Sequence, residues 1–168
     1  MDHLIWSGML APSDQETNRM KQLMYVMQFT GRAARKSGVS RVIEASTRAS
    51  SSSLSSVVSS AGVTTTLMSV EGEDASFESE VTLTGDTSFR ESGTIRFGHS
   101  NHNLRFSTIG EGFLGKSPDP ALQHGSVMWR VDSGEGQFAG ARGIITSNFT
   151  LSAAGEVTDN HFGVIFLR

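Results

Sequence analysis

The chain has 168 residues, of which 37% are hydrophobic and 18% charged, with a formal net charge of -3 at pH 7; this suits one globular domain and is too apolar for a disordered chain. Its mild acidity supplies no basic field to collect phosphates, which argues against nucleic-acid binding, and the absence of cysteine removes disulfides and thiolate metal sites. Residues 1–9 carry Asp2 and lack the long apolar core of a secretory signal, and no run reaches transmembrane length, so a cytoplasmic protein without membrane partners is expected.

In chain order, Ser13 and Glu16 follow Pro12 at the spacing of a capping box, in which Ser13 accepts from an exposed helical N–H and Glu16 reaches back. Met20, Leu23, Met24 and Met27 then recur at intervals of three and four, with Arg19, Lys21 and Gln22 between them. The spacing predicts an amphipathic helix over residues 13–31, ended by Gly31, with its methionine stripe on the core. Lys36 and Ser37 lie near Gly31 and Gly38, but not at the spacing of a phosphate loop. Residues 46–61 are mostly serine and read as a loop or edge strand, with a lid as one role and a plain linker as the other.

Residues 63–168 read as a β-meander of short runs separated by turns. Phe77, Ser79, Val81 and Leu83 alternate with Glu78, Glu80, Thr82 and Thr84, so one face points inward and the other meets water. Ile95 and Phe97 form the next inward set, followed by Val127, Trp129 and Val131, and by Ile145, Ser147, Phe149 and Leu151. In the last run Phe162, Val164 and Phe166 are apolar on one face, with Ile165 and Leu167 on the other. A strand apolar on both faces needs a cover, from the N-terminal helix or a second subunit. Consecutive short strands leave open edges unless the sheet closes. The expected fold class is therefore mainly β: a single domain over residues 1–168, a small antiparallel β-barrel of about eight strands with one N-terminal helix.

The segment Gly134-Glu135-Gly136-Gln137-Phe138-Ala139-Gly140-Ala141-Arg142-Gly143, followed by a strand and Gly155-Glu156-Val157-Thr158, resembles the late hairpin of the allene oxide cyclase and dirigent-type, lipocalin-like barrels. Its glycines suit a hairpin bulge, and Phe138 suits a plug at the barrel end. The resemblance covers the last quarter of the chain. It implies a hollow barrel that holds a small apolar molecule, in a dimer or trimer. Residues 1–60 do not share the plant families' pattern, so the fold and pocket class carry over and no site residue does.

Among candidate site residues, His99 continues the inward phase of Ile95 and Phe97 to the end of its run. There it is either an acid or base at the barrel mouth or a turn histidine beside Ser100 and Asn101. Glu111 lies between Gly110 and Gly112 in the apolar run Ile109 to Leu114, a candidate general acid or base unless a bulge at Gly110 turns it to solvent. Trp129, Ser147, Phe97 and Phe149 share inward phases and are the candidate ligand-binding residues. His99, His102, His124, His161 and Glu111 lack the ligand spacing of a cupin site, so no metal and no cofactor is expected. No histidine–acid pair marks Ser147 as a nucleophile. The expected function is binding of a small apolar metabolite, with isomerisation or cyclisation as the reaction class if Glu111 or His99 moves a proton. The alternative is a non-catalytic, homo-oligomeric structural or interaction protein with a side-chain-filled barrel.

Overall fold

The computed structural model describes residues 20–168, which form strands β1 (Lys21–Arg35), β2 (Val42–Ala49), β3 (Ser52–Ser59), β4 (Gly62–Ser69), β5 (Ala75–Leu83), β6 (Ser88–Phe97), β7 (Asn103–Thr108), β8 (Gly112–Lys116), β9 (Leu122–Glu135), β10 (Arg142–Ser152) and β11 (Glu156–Leu167). Strands β1, β2, β5, β6, β7, β9, β10 and β11 close an eight-stranded antiparallel barrel, with β10 paired to both β9 and β11, and β11 to β1. Closure satisfies the edge N–H and C=O groups that an open sheet would leave bare. One stave is made in two pieces. Along the gap between β6 and β9, β7 pairs with the second half of β9 and β8 with its first half. The break falls at Gly110, whose positive φ of 72° suits a residue without Cβ.

The predicted helix is a strand over its described part. Residues 21–35 pair with β11 along most of their length and with β2 at their end, and Leu23, Tyr25, Met27 and Phe29 alternate inward. The three- and four-residue methionine spacing is a coincidence of this alternation with Met20 and Met24 on the outer face. Tyr25, Val26, Phe29 and Thr30 are β-formers, and pairing on a long sheet outweighs a stripe of apolar residues at helical spacing. Ser13 and Glu16 lie outside the described residues. Among those residues, the one helical turn is a 3-10 turn at Gly136–Phe138, and no helix is long and apolar enough to cross a membrane.

The serine-rich stretch also carries more structure than its composition suggests. Its first part completes β2, and the rest forms β3, which pairs with β4 as a separate two-stranded hairpin outside the barrel. Residues 64–70, expected in the meander, belong mostly to this hairpin. No helix covers the outer face of β11 among the described residues, and Phe162 and Phe166 are exposed there.

The barrel interior divides into three layers. At one end Phe138, from the turn between β9 and β10, packs on Phe97 at 5.0 Å between ring centroids, and Tyr25 meets Phe97 edge-on at 5.5 Å. Burial pushes the Tyr25 hydroxyl well above its ordinary pKa. A middle layer holds Phe29, Phe77, Phe106, Trp129 and His161, with Phe106 and Trp129 at 4.6 Å and Phe29 and His161 at 4.4 Å. The third layer, at the opposite end, is hollow.

Candidate functional site

The hollow end lies between the end of β1, the start of β2, the end of β5 and the starts of β6 and β11. Its walls include Ile43, Val81, Leu83, Phe89, Leu114, Phe149, Leu151 and Val157, with the small residues Ala33 and Ala45 on β1 and β2. The small side chains make the space: a barrel of this strand number is otherwise just wide enough for side chains to fill. The cavity has a volume of about 60 Å³. At β1, a side chain at Gly31 would collide with Ser46 and Thr47 of β2, so glycine there permits the close approach that seats Thr47.

Polar groups converge on the cavity floor. Glu91 of β6 is 8% exposed and lines the cavity, as do Asp159 of β11 (6%) and Thr47 of β2 (3%). The Ser79 hydroxyl donates to Glu91 Oε1, and the Trp129 indole N–H donates to Oε2 at 3.1 Å. Thr108 fixes the backbone of Glu91: its hydroxyl accepts from the Glu91 N–H at 2.7 Å and donates to the Glu91 carbonyl at 2.9 Å. Asp159 accepts from the Ser147 hydroxyl at 2.6 Å through Oδ1 and lies 2.9 Å from His161 Nε2 through Oδ2. This contact is a hydrogen bond from the imidazole to the carboxylate when the ring proton is on Nε2. His161 Nδ1 and the Thr47 hydroxyl are buried and have no partner.

Burial penalises the charged form of Glu91, and the nearby charge of Asp159 adds to the effect against the two donors that favour ionisation, so its pKa is pushed up to about 8. At neutral pH Glu91 is therefore mostly a carboxylic acid, and its own proton is a donor in an apolar chamber. Such a group, held rigidly and close to half-titration, is suited to giving a proton to a ligand oxygen or taking one from a carbon beside it. Asp159 and Thr47 add an acceptor and a hydroxyl on the same floor. Ser147 contacts Asp159 rather than His161, which is not the hydrogen-bond order of an acyl-transfer triad.

The sequence-predicted residues divide between the two ends. Phe149 lines the cavity, and Trp129 and Ser147 sit under its floor as the donors to Glu91 and Asp159. Phe97 lies at the plugged end. His99 follows β6 at that same end, with its side chain 86% exposed and its Nδ1 3.4 Å from Glu73; its backbone N–H donates to that carboxylate and holds it below the usual range. β6 ends at Phe97, so the inward alternation does not extend to His99, which follows the strand at the plug and not at the mouth. Glu111 stands at the break between β7 and β8, exposed, 4.0 Å from Arg90 Nε. The kink at Gly110 turns it away from the interior. Neither proposed acid or base reaches the cavity.

Glu91, Asp159, Thr47 and the role of His161 were missed. The signal was present as charged residues on inward phases: Phe89, Glu91, Gly93, Ile95 and Phe97 on one strand, and Asp159, His161, Gly163, Ile165 and Leu167 on another. A carboxylate at a core position breaks the alternation rule and marks a functional or strained site. Among the described residues no group of three or more His, Asp or Glu side chains is placed to hold a metal ion. No protein-family model and no curated sequence matches this chain.

Proposed function

We propose that the barrel binds a slender, mostly apolar small molecule with one oxygen acceptor directed at the floor, and that Glu91 exchanges a proton with it in an isomerisation or cyclisation. The observation that carries this reading is a buried glutamate held by two donors at the base of an apolar cavity, where burial favours its neutral form. Rearrangement within one molecule moves protons and bonds without net oxidation, so it requires no cofactor. The chamber walls hold one reactive conformation while Glu91 supplies the proton, and Asp159 or Thr47 orients a second polar group. The reading fits the pocket class implied by the resemblance to allene oxide cyclase and dirigent-type barrels. It also fits a cytoplasmic protein handling an apolar metabolite. The open cavity favours binding over a purely structural, side-chain-filled barrel.

The test uses prodan, a naphthyl ketone whose emission responds to hydrogen bonding at its carbonyl. Its affinity is expected to fall as pH rises through about 8, where Glu91 loses its proton, and to become independent of pH in Glu91→Gln. Equal affinity across that range in the native chain, with no change in emission in Glu91→Gln, would rule out Glu91 as the donor. Mass spectrometry of molecules that co-purify under native conditions then identifies the natural ligand.

A further inference from the structure

The hairpin β3–β4 is unlike the rest of the molecule. Every residue of β4 is exposed, as is almost all of β3, with Val58 at 79% and Val63 at 67%. No charged residue occurs between Arg48 and Glu71, and no proline. Lysine, proline and inward charges are the usual guards of a strand edge. A lone two-stranded hairpin is at best marginally stable in water and gains stability from a third strand. The barrel staves form a closed ring, whereas among the described residues the hairpin keeps two unpaired edges. β3 is the strand that approaches β1, which leaves β4 as the outer edge.

We propose that β4 is the interface of a two-fold dimer, pairing antiparallel with β4 of a second copy of this chain about an axis at Thr65. The pattern of the hairpin selects a second copy. On one face Leu54 opposes Leu67 and Val58 opposes Val63, with Ser56 opposite Thr65 between them, their hydroxyls 3.3 Å apart. Val63 and Leu67 stand symmetrically about Thr65. A two-fold axis there sets Leu67 against Val63 of the second copy, and each apolar pair extends into a row of four: Leu54, Leu67, then Val63 and Val58 of the other chain. Thr65 meets its own copy at the centre, a pair that β-sheets favour. A slip of one residue would pair each apolar row with the opposite face, whereas an axis at Thr65 continues both rows. The stretch is neutral, so two copies of an acidic protein meet there without charge repulsion.

Sedimentation of the full chain at micromolar concentrations tests this, with Thr65→Lys as the disrupting variant, since it places two ammonium groups across the axis from an exposed position. The native chain is expected to be a dimer, weakened about tenfold or more by Thr65→Lys. Ile144→Lys, on the exposed apolar outer face of β10, should leave the dimer unchanged. Because the chain has no cysteine, Thr65→Cys provides a positional readout: mild oxidation should link two copies, whereas Ser56→Cys, one strand further from the axis on each side, should not cross-link. A monomeric native chain, a dimer that survives Thr65→Lys, loss of the dimer in Ile144→Lys, or cross-linking through Ser56→Cys but not Thr65→Cys would each overturn the proposal.

Discussion

The two ends of the barrel are built from the same staves and reach opposite outcomes. At one end β6 finishes with Phe97, β1 brings Tyr25, and the β9–β10 turn folds Phe138 in as a stopper. At the other, the facing positions on β1 and β2 are Ala33, Ala45 and Thr47, and among the described residues no turn folds inward to replace the missing volume. Side-chain size at a few inward positions therefore decides whether a barrel of fixed strand number is a core or a container. The carboxylates stand where packing is incomplete: Glu91 and Asp159 border the cavity, on top of the aromatic layer that closes it from below.

The largest effect should come from unmaking the plug. Phe138 is 2% exposed, so Phe138→Ala is expected to cost about 3–5 kcal/mol of stability, measured by urea unfolding. A loss well under that would mean the two ends contribute alike. Next is the pH dependence of stability at the hollow end. Glu91 keeps its proton to about pH 8 in the folded chain, against 4.5 for a free carboxyl. Between those values the native state holds a proton that the unfolded chain has released. Its contribution is complete below the lower value and is lost as pH rises to the upper one, with a slope of at most about 1.4 kcal/mol per pH unit. In Glu91→Gln this slope should vanish, and parallel stability curves for the two proteins would contradict it.

Filling the chamber is a smaller perturbation. Ala45→Phe should lower prodan affinity about ten- to a hundredfold while changing stability by no more than about 1 kcal/mol, because the added ring enters existing space. If affinity is unaffected, the ligand binds elsewhere. The smallest effects belong to the exposed candidates. His99→Ala and Glu111→Gln should each leave prodan binding unchanged and stability within about 0.5 kcal/mol; a clear loss of binding in either would place the site outside the cavity.

The residues that made the fold legible are those with an undisturbed two-residue period. Phe77 to Leu83, Ile95 to Phe97, Val127 to Val131 and Ile145 to Leu151 each place their inward set as alternation requires. β1 was obscured because Leu23 and Met27 satisfy both a helical and a strand period, and sheet pairing, which decided between them, is a non-local interaction. The serine content of β3 correctly signalled little burial, but exposed strands paired only with each other need no core. Glu91 was hidden by its type: carboxylates were sought beside glycines and turns, while this one occupies a core position in mid-strand, made tolerable by Ser79 and Trp129 arriving from distant strands. Ser147 and Trp129 were identified by phase alone, and their partners required the closed barrel.

The divided stave has a consequence for local opening. β8 carries Leu114 to the cavity wall, yet it joins β6 only through Ser88 and Phe89, while its other side is fastened to β9. A segment of five residues that follows Gly110, and is paired over most of its length on one side only, is the part of the cavity wall that local fraying should open first. Amides of β8 should accordingly exchange with solvent sooner than those of β7, on the same stave and beyond Gly110.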